Sequence, residues 1–67
     1  MLLDNRYIQN NYIYTQNGET LAYIKGKYIY EYSSNDLLFY IKDKYIHNHS
    51  NNDCEYWIDN FKWIHKM

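Results

Sequence analysis

Proline is absent from this chain of 67 residues, and glycine occurs only twice, cysteine, alanine and arginine once each. Each scarcity excludes something. A lone Cys54 leaves no intramolecular disulfide and no Cys-x-x-Cys metal or redox pair, and it points to reducing surroundings. Seven basic residues are scattered among eight acidic ones for a net charge of -1, so no basic stripe is available for general nucleic-acid binding. Long apolar runs are missing too. The opening Met1-Leu2-Leu3-Asp4 is read as neither signal peptide nor spanning helix, because charge interrupts it at once. The expectation is a soluble cytoplasmic protein and one domain, since 67 residues barely support a single core.

What the chain has in abundance is Tyr, Ile, Asn and Lys, all with AT-rich codons, which suggests an AT-rich bacterial, phage or viral genome. Tyrosine is enriched beyond that bias, ten against two phenylalanines. The aromatic-Ile pair recurs as Tyr7-Ile8, Tyr23-Ile24, Tyr40-Ile41 and Trp57-Ile58, with the isoleucines 16, 17 and 17 residues apart. After three intervening residues, or four in the last copy, a second pair follows: Tyr12-Ile13, Tyr28-Ile29, Tyr45-Ile46 and Trp63-Ile64. This is a fourfold internal repeat, one hairpin written four times, with units near 2–16, 19–33, 36–49 and 53–67 of a single 1–67 domain.

Turn chemistry sets the strands. A two-residue turn in each repeat places Asn10, Gly26, Asp43 and Asn60 at its second central position, all residues that tolerate positive φ. Between repeats lie Asn17-Gly18, Asn35-Asp36 and Asn51-Asn52. The segments between these signals are β-branched and aromatic with no helical apolar stripe, which predicts an all-β fold of eight short antiparallel strands in a four-hairpin meander. Closing the first hairpin onto the fourth would remove both open edges and give a pseudo-fourfold barrel or flower.

With the Gln9-Asn10 turn, Tyr7 faces Tyr12, and alternation sorts the side chains into two faces. One carries Ile8, Ile13, Ile24, Ile29, Ile41, Ile46, Ile58 and Ile64. The other carries Tyr7, Tyr12, Tyr14, Tyr23, Tyr28, Tyr30, Tyr40, Tyr45, His47, Trp57, Trp63 and His65. The isoleucines would fill the centre, and the fourth repeat, one residue longer, needs a three-residue loop or bulge at Asp59-Asn60-Phe61. Isoleucines alone cannot offset the cost of ordering the chain, so the aromatic face must also be covered, between hairpins or against a second subunit; a homo-oligomer is expected.

The run Leu21-Ala22-Tyr23-Ile24-Lys25-Gly26-Lys27-Tyr28-Ile29-Tyr30 resembles the repeating unit of the bacterial four-fold β-flower family, in which four β-hairpins surround a central axis as petals. The resemblance covers about Tyr7 to Lys66. The family's glycine between petals is present as Gly18, with Asn35-Asp36 and Asn51-Asn52 in the other places. It implies a fold similar in outline to the barrels of tubby-like and scramblase-like proteins, and with it lipid or small-molecule binding along the axis. It supplies no catalytic residues.

Four equivalent positions follow the second Ile of each repeat: Tyr14, Tyr30, His47 and His65. Read functionally, they form a mouth of hydroxyl and imidazole groups for a polar or anionic ligand, with Tyr12, Tyr28, Tyr45 and Trp63 stacking on it. Read structurally, they are amphipathic strand residues with wet tips. His47, His49, His65 and Cys54 are zinc-type ligands, with His47 and His49 on one strand face, but their spacing matches no standard site, so no metal and no cofactor is assigned. Cys54 beside a histidine is no nucleophile motif without an oxyanion donor pair, and the acids Asp36, Asp43, Asp53, Glu55 and Asp59 sit in or beside turns. Lys25, Lys27, Lys42 and Lys44 flank two turns on one rim, where solvation is the ordinary reading.

The chain is therefore read as a non-enzymatic binding protein whose aromatic face joins subunits or captures a protein partner or small anionic ligand. One alternative is a phage- or mobile-element-encoded inhibitor or ligand sponge acting on a host defence system. The other is a lipid-associated module, which the sequence supports least, having no lipidation signal and no basic amphipathic segment.

Overall fold

The protein's computed structural model describes residues 2–67. Eight strands follow one another around a closed barrel: β1 (Tyr7–Gln9), β2 (Tyr12–Tyr14), β3 (Thr20–Lys25), β4 (Tyr28–Glu31), β5 (Leu37–Lys42), β6 (Tyr45–Asn48), β7 (Cys54–Asp59) and β8 (Trp63–Lys66). Every neighbouring pair is antiparallel, and β1 closes on β8 through the pair Tyr7 and Trp63. The all-β meander of four hairpins expected from the turns is the fold. Among the described residues no helix is long and apolar enough to cross a membrane.

The hairpin register differs from the expected one. Asn10-Asn11, Gly26-Lys27 and Asp43-Lys44 are the central turn residues, so Tyr7 pairs with Tyr14 rather than with Tyr12, and Ile8 with Ile13. The residues with positive φ thus come first in each turn, not second: Asn10 at 53°, Gly26 at 64°, Asp43 at 57° and Asn60 at 53°. In the first turn Asn11 is left-handed as well, at 67°, giving the doubly positive geometry that matches the twist of a two-residue hairpin. The fourth hairpin has a three-residue loop, Asn60-Phe61-Lys62, between the paired Asp59 and Trp63, with Phe61 also left-handed at φ 54°. Because each register is displaced by two, the period of the pleat, the face assigned to every side chain survives the change.

The isoleucine face lines the interior. Ile13, Ile29, Ile46 and Ile64 are 0% exposed, Ile58 is buried, and Ile8, Ile24 and Ile41 are half-buried against them. Three more inward residues stand two positions before an isoleucine on the same face: Ala22, Phe39 and Tyr56, with Phe39 and Tyr56 meeting edge to face at 5.9 Å. The first repeat has Arg6 at the corresponding place. Leu3, wholly buried, joins the cluster from the N-terminal segment, its N–H donating to the Tyr56 hydroxyl at 3.2 Å.

Curvature comes from a repeated irregularity. Between β2 and β3, β4 and β5, and β6 and β7 the pairing slips by one residue, leaving Leu21, Leu38 and Glu55 bulged. A bulge bends and twists its strand, and three at equivalent sites turn a meander of short strands into a ring. The bulged carbonyls are not wasted, since Leu21, Leu38 and Glu55 accept from the N–H groups of Tyr32, His49 and Met67 at 2.9, 3.0 and 3.1 Å. At the other end each hairpin turn is tied to the next hairpin. The carbonyls of Asn11, Lys27, Lys44 and Lys62 accept from Ile24, Ile41, Ile58 and Ile8, all at 2.7 Å. The last of these bonds closes the barrel with the same geometry as the others.

Candidate functional site

Since the isoleucines point inward, the aromatic face is the outside of the barrel. Tyr7 and Tyr14, Tyr23 and Tyr30, Tyr40 and His47, and Trp57 and His65 are cross-strand partners within the four hairpins. Each pair stacks, with ring centroids 5.4, 5.1, 5.0 and 4.7 Å apart. Tyr14, Tyr30, His47 and His65 do not converge on one mouth. They lie a quarter-turn of the barrel apart, each against the first aromatic of its own hairpin, because they follow the buried Ile13, Ile29, Ile46 and Ile64 and alternation turns them outward.

Tyr12, Tyr28, Tyr45 and Trp63 start the second strands and pair across to the next hairpin: Tyr12 with Tyr23, Tyr28 with Tyr40, Tyr45 with Trp57, and Trp63 with Tyr7. These four pairs link neighbouring hairpins on the outer face. Tyr7 and Trp63 approach to 5.7 Å and Tyr12 and Tyr14 to 6.2 Å, so rings run on from one hairpin to the next at the closure. Most belt residues are half-buried by one another, while Tyr12, Tyr45 and Trp63 are the more exposed. The groove between β6 and β7, about 300 Å³, is lined by Lys44, Tyr45, Trp57 and Met67. Tyr32, which holds the place in its repeat that Met67 holds in the fourth, meets Tyr12 edge-on at 6.3 Å.

Lysines cap the belt at the hairpin turns. The ammonium groups of Lys27, Lys44 and Lys62 stand 5.6, 5.7 and 5.4 Å from the ring centres of Tyr28, Tyr45 and Trp63, and Lys44 also lies 6.0 Å from Trp57. Lys27 and Lys44 lie on the rim expected from the sequence, and the structure adds Lys62 and the ring contacts. Their signal is a lysine immediately before the second aromatic of three repeats. The stacking partners Tyr7, Tyr23, Tyr40 and Trp57 were likewise on the aromatic face but outside the candidate site; the cross-strand pairing adds them.

Side-chain hydrogen bonds fasten the belt to the loops. Tyr23 donates its hydroxyl to Asn35 Oδ1 at 3.0 Å, and Tyr40 donates to Asn52 Oδ1 at 3.2 Å. Asn35 and Asn52 have φ of 63° and 65°, and Gly18, at 87°, takes the same place in the first loop. Asparagine therefore does two tasks here, adopting the left-handed backbone and accepting from the ring above it.

Polar groups that suggested chemistry are dispersed. His47 is the cross-strand partner of Cys54, but its ring stacks on Tyr40 while the Cys54 thiol donates to the Tyr56 carbonyl at 3.8 Å. His49 lies beyond the end of β6, in the turn that follows. His65 Nε2 is 3.6 Å from Asp59 Oδ2, just outside hydrogen-bond reach. Among the described residues no three His, Cys, Asp or Glu side chains are grouped to hold a metal ion. No family model, curated protein or solved structure matches the chain.

Proposed function

We propose that this protein is a non-catalytic binding and interaction module that uses the outside of its barrel, where the aromatic belt joins copies of the chain or captures a partner. The observation that carries the reading is the division of labour between faces: aliphatic side chains fill the axis down to 0% exposure, while stacked Tyr, Trp and His rings encircle the exterior. Rings with polar tips, held rigid by stacking, give contact area at low entropic cost, as they do at many interfaces. The grooves between hairpins accept an apolar or aromatic group, and the lysines beside them favour a partner with acidic or anionic character.

The four-petal barrel supports placing the chain with the β-flower proteins that its repeat resembles, although the filled axis moves ligand capture from the centre to the flanks. We place it in the cytoplasm of a bacterial cell. Native mass spectrometry of protein purified from cells without denaturation tests the belt. An oligomer or a bound adduct is expected for the wild type, lost in Tyr12→Ser/Tyr45→Ser/Trp63→Ser with the circular dichroism of the barrel retained. A wild type seen only as the bare 8.4 kDa chain would overturn the reading.

A further inference from the structure

The charges of this chain are sorted along the barrel. At the end formed by the hairpin turns stand Lys25, Lys27, Lys42, Lys44 and Lys62 with Asp43 and Asp59, five positive against two negative, or +3. At the other end, with the loops between hairpins and the chain termini, stand Arg6 and Lys66 with Asp4, Glu19, Glu31, Asp36, Asp53 and Glu55, two positive against six negative, or -4. Together these give the net charge of -1, which hides the separation. Among the described residues no lysine or arginine comes within 4.0 Å of a carboxylate, the one ion-pair contact being His65 with Asp59. The excess of each sign lies at its own end, and the minority charges that share an end, Asp43 and Asp59 with the lysines and Arg6 and Lys66 with the acids, make no Lys or Arg ion pair among the described residues.

The two ends also share a pattern. Lys27, Lys44 and Lys62 occupy equivalent places in the second, third and fourth hairpins, where the first has Asn11. Glu19, Asp36 and Asp53 each stand four residues before the first aromatic of those same hairpins, where the first has Leu3. All six charged residues are exposed. Each of these sets of three therefore covers three quadrants of four, and in the first repeat the acidic end has Asp4 with Arg6, whose charges cancel in the count. We propose that copies of this chain stack head to tail along the barrel axis, the lysine end of one on the acidic end of the next. Head-to-tail stacking keeps both rings in the same rotational sense, so a single rotation sets lysines over carboxylates and first repeat over first repeat. Each end adds an exposed apolar side chain, Phe61 on the lysine end and Leu2 on the acidic end.

A closed barrel has no strand edge to offer, so growth runs through the ends. The contact is heterologous and, along a common axis, builds rods rather than closed rings. With a longest extent of 29 Å the barrel offers little area at each end. Roughly 500 Å² a side puts a single contact at the small, transient end of the interface range. Stacking thus needs concentrated protein and low salt, and it is independent of the belt, whose apolar contacts survive salt.

Sedimentation of the full chain tests this from about 10 μM to about 1 mM, a span that covers transient affinities, in about 10 mM and about 1 M salt, where charges are felt over about 30 Å and 3 Å. In low salt the weight-average mass is expected to rise at least twofold with no plateau, and to fall in high salt to a constant value, that of the single chain or of whatever unit the belt holds together. Lys27→Glu/Lys44→Glu/Lys62→Glu makes both ends negative, and Glu19→Lys/Asp36→Lys/Asp53→Lys makes both positive. Each variant alone is expected to keep its high-salt mass in low salt, and an equimolar mixture to co-assemble, which also shows that both are folded. A wild type that stays monomeric in low salt overturns the proposal, whether or not it sediments with phosphatidylserine vesicles, and vesicle binding would assign the lysine end to a membrane surface. A mass that plateaus at the dimer, or an assembly indifferent to salt and to the charge reversals, overturns it as well. An oligomer or adduct that persists unchanged in Tyr12→Ser/Tyr45→Ser/Trp63→Ser, with salt-sensitive stacking intact, would instead sink the belt reading alone.

Discussion

Tyr40 and His47 lie face to face across the third hairpin, their ring centres 5.0 Å apart and their planes 10° from parallel. The equivalent pairs in the first two hairpins are both tyrosines, Tyr7 with Tyr14 and Tyr23 with Tyr30. His47 Nδ1 is buried without a hydrogen-bond partner. His47→Tyr keeps the stack and removes that orphan nitrogen, so it should hold or raise the urea midpoint. His47→Ala should lower stability by about 0.5–1.5 kcal/mol through the lost stack. Equal destabilisation by the two changes would show that the imidazole, not the stacking, matters.

Ile29 is 0% exposed in the centre of the barrel. Truncation to alanine should cost about 2–5 kcal/mol, as for other large-to-small core changes. In a domain this small that is a large share of the total stability. Chemical denaturation checks it; a midpoint shift no larger than that of Tyr45→Ala, on the exposed belt, would place the isoleucines outside the core.

Much of this architecture is legible in the sequence because period-two alternation is insensitive to a register error of two. Asn10 was placed second in its turn and stands first, yet Ile13 remains inside and Tyr14 outside. The same alternation argues against a central mouth at Tyr14, Tyr30, His47 and His65: a residue next to a buried isoleucine points away from the axis. Leu3 is harder to read, since it lies outside the aromatic-Ile repeat and its long-range hydrogen bond is to the Tyr56 hydroxyl, 53 residues away. Nor does the repeat disclose the bulges at Leu21, Leu38 and Glu55, because a bulge depends on how two strands meet and not on either strand alone. The lysine rim shows only half its pattern until Lys62, displaced by the longer fourth loop, is seen over Trp63.

Asn35 combines a left-handed backbone with a bond from the Tyr23 hydroxyl. Asn35→Gly keeps the backbone and loses only the acceptor, an exposed bond worth at most about 0.5–1.5 kcal/mol. Asn35→Ala loses both, adding about 1–2 kcal/mol of left-handed strain. Alanine should therefore be the more damaging change by urea denaturation, and Tyr23→Phe should erase the difference between wild type and glycine at this site. If glycine and alanine prove equal, the loop does not need positive φ at this position.

Tyr56 is a buried ring whose hydroxyl accepts from the Leu3 N–H, so it fastens the N-terminal segment to the seventh strand. The adjoining Asn5 N–H donates to the Ile64 carbonyl at 2.8 Å and the Arg6 N–H to the Leu3 carbonyl at 3.2 Å, which ties the same segment to β8 and to itself. Tyr56→Phe keeps the ring in the core but removes the acceptor, leaving a buried N–H unpaired at a cost of about 1–3 kcal/mol. Because the segment can peel away and let water satisfy the group, the loss should appear first as local opening. Hydrogen exchange at the Leu3 amide should accelerate by at least about tenfold, the equivalent of 1.4 kcal/mol, while the amides of Ile29 and Ile46 slow or quicken only with global stability. Unchanged exchange at Leu3 would mean that its side chain, buried in the core cluster, holds the segment without the hydrogen bond.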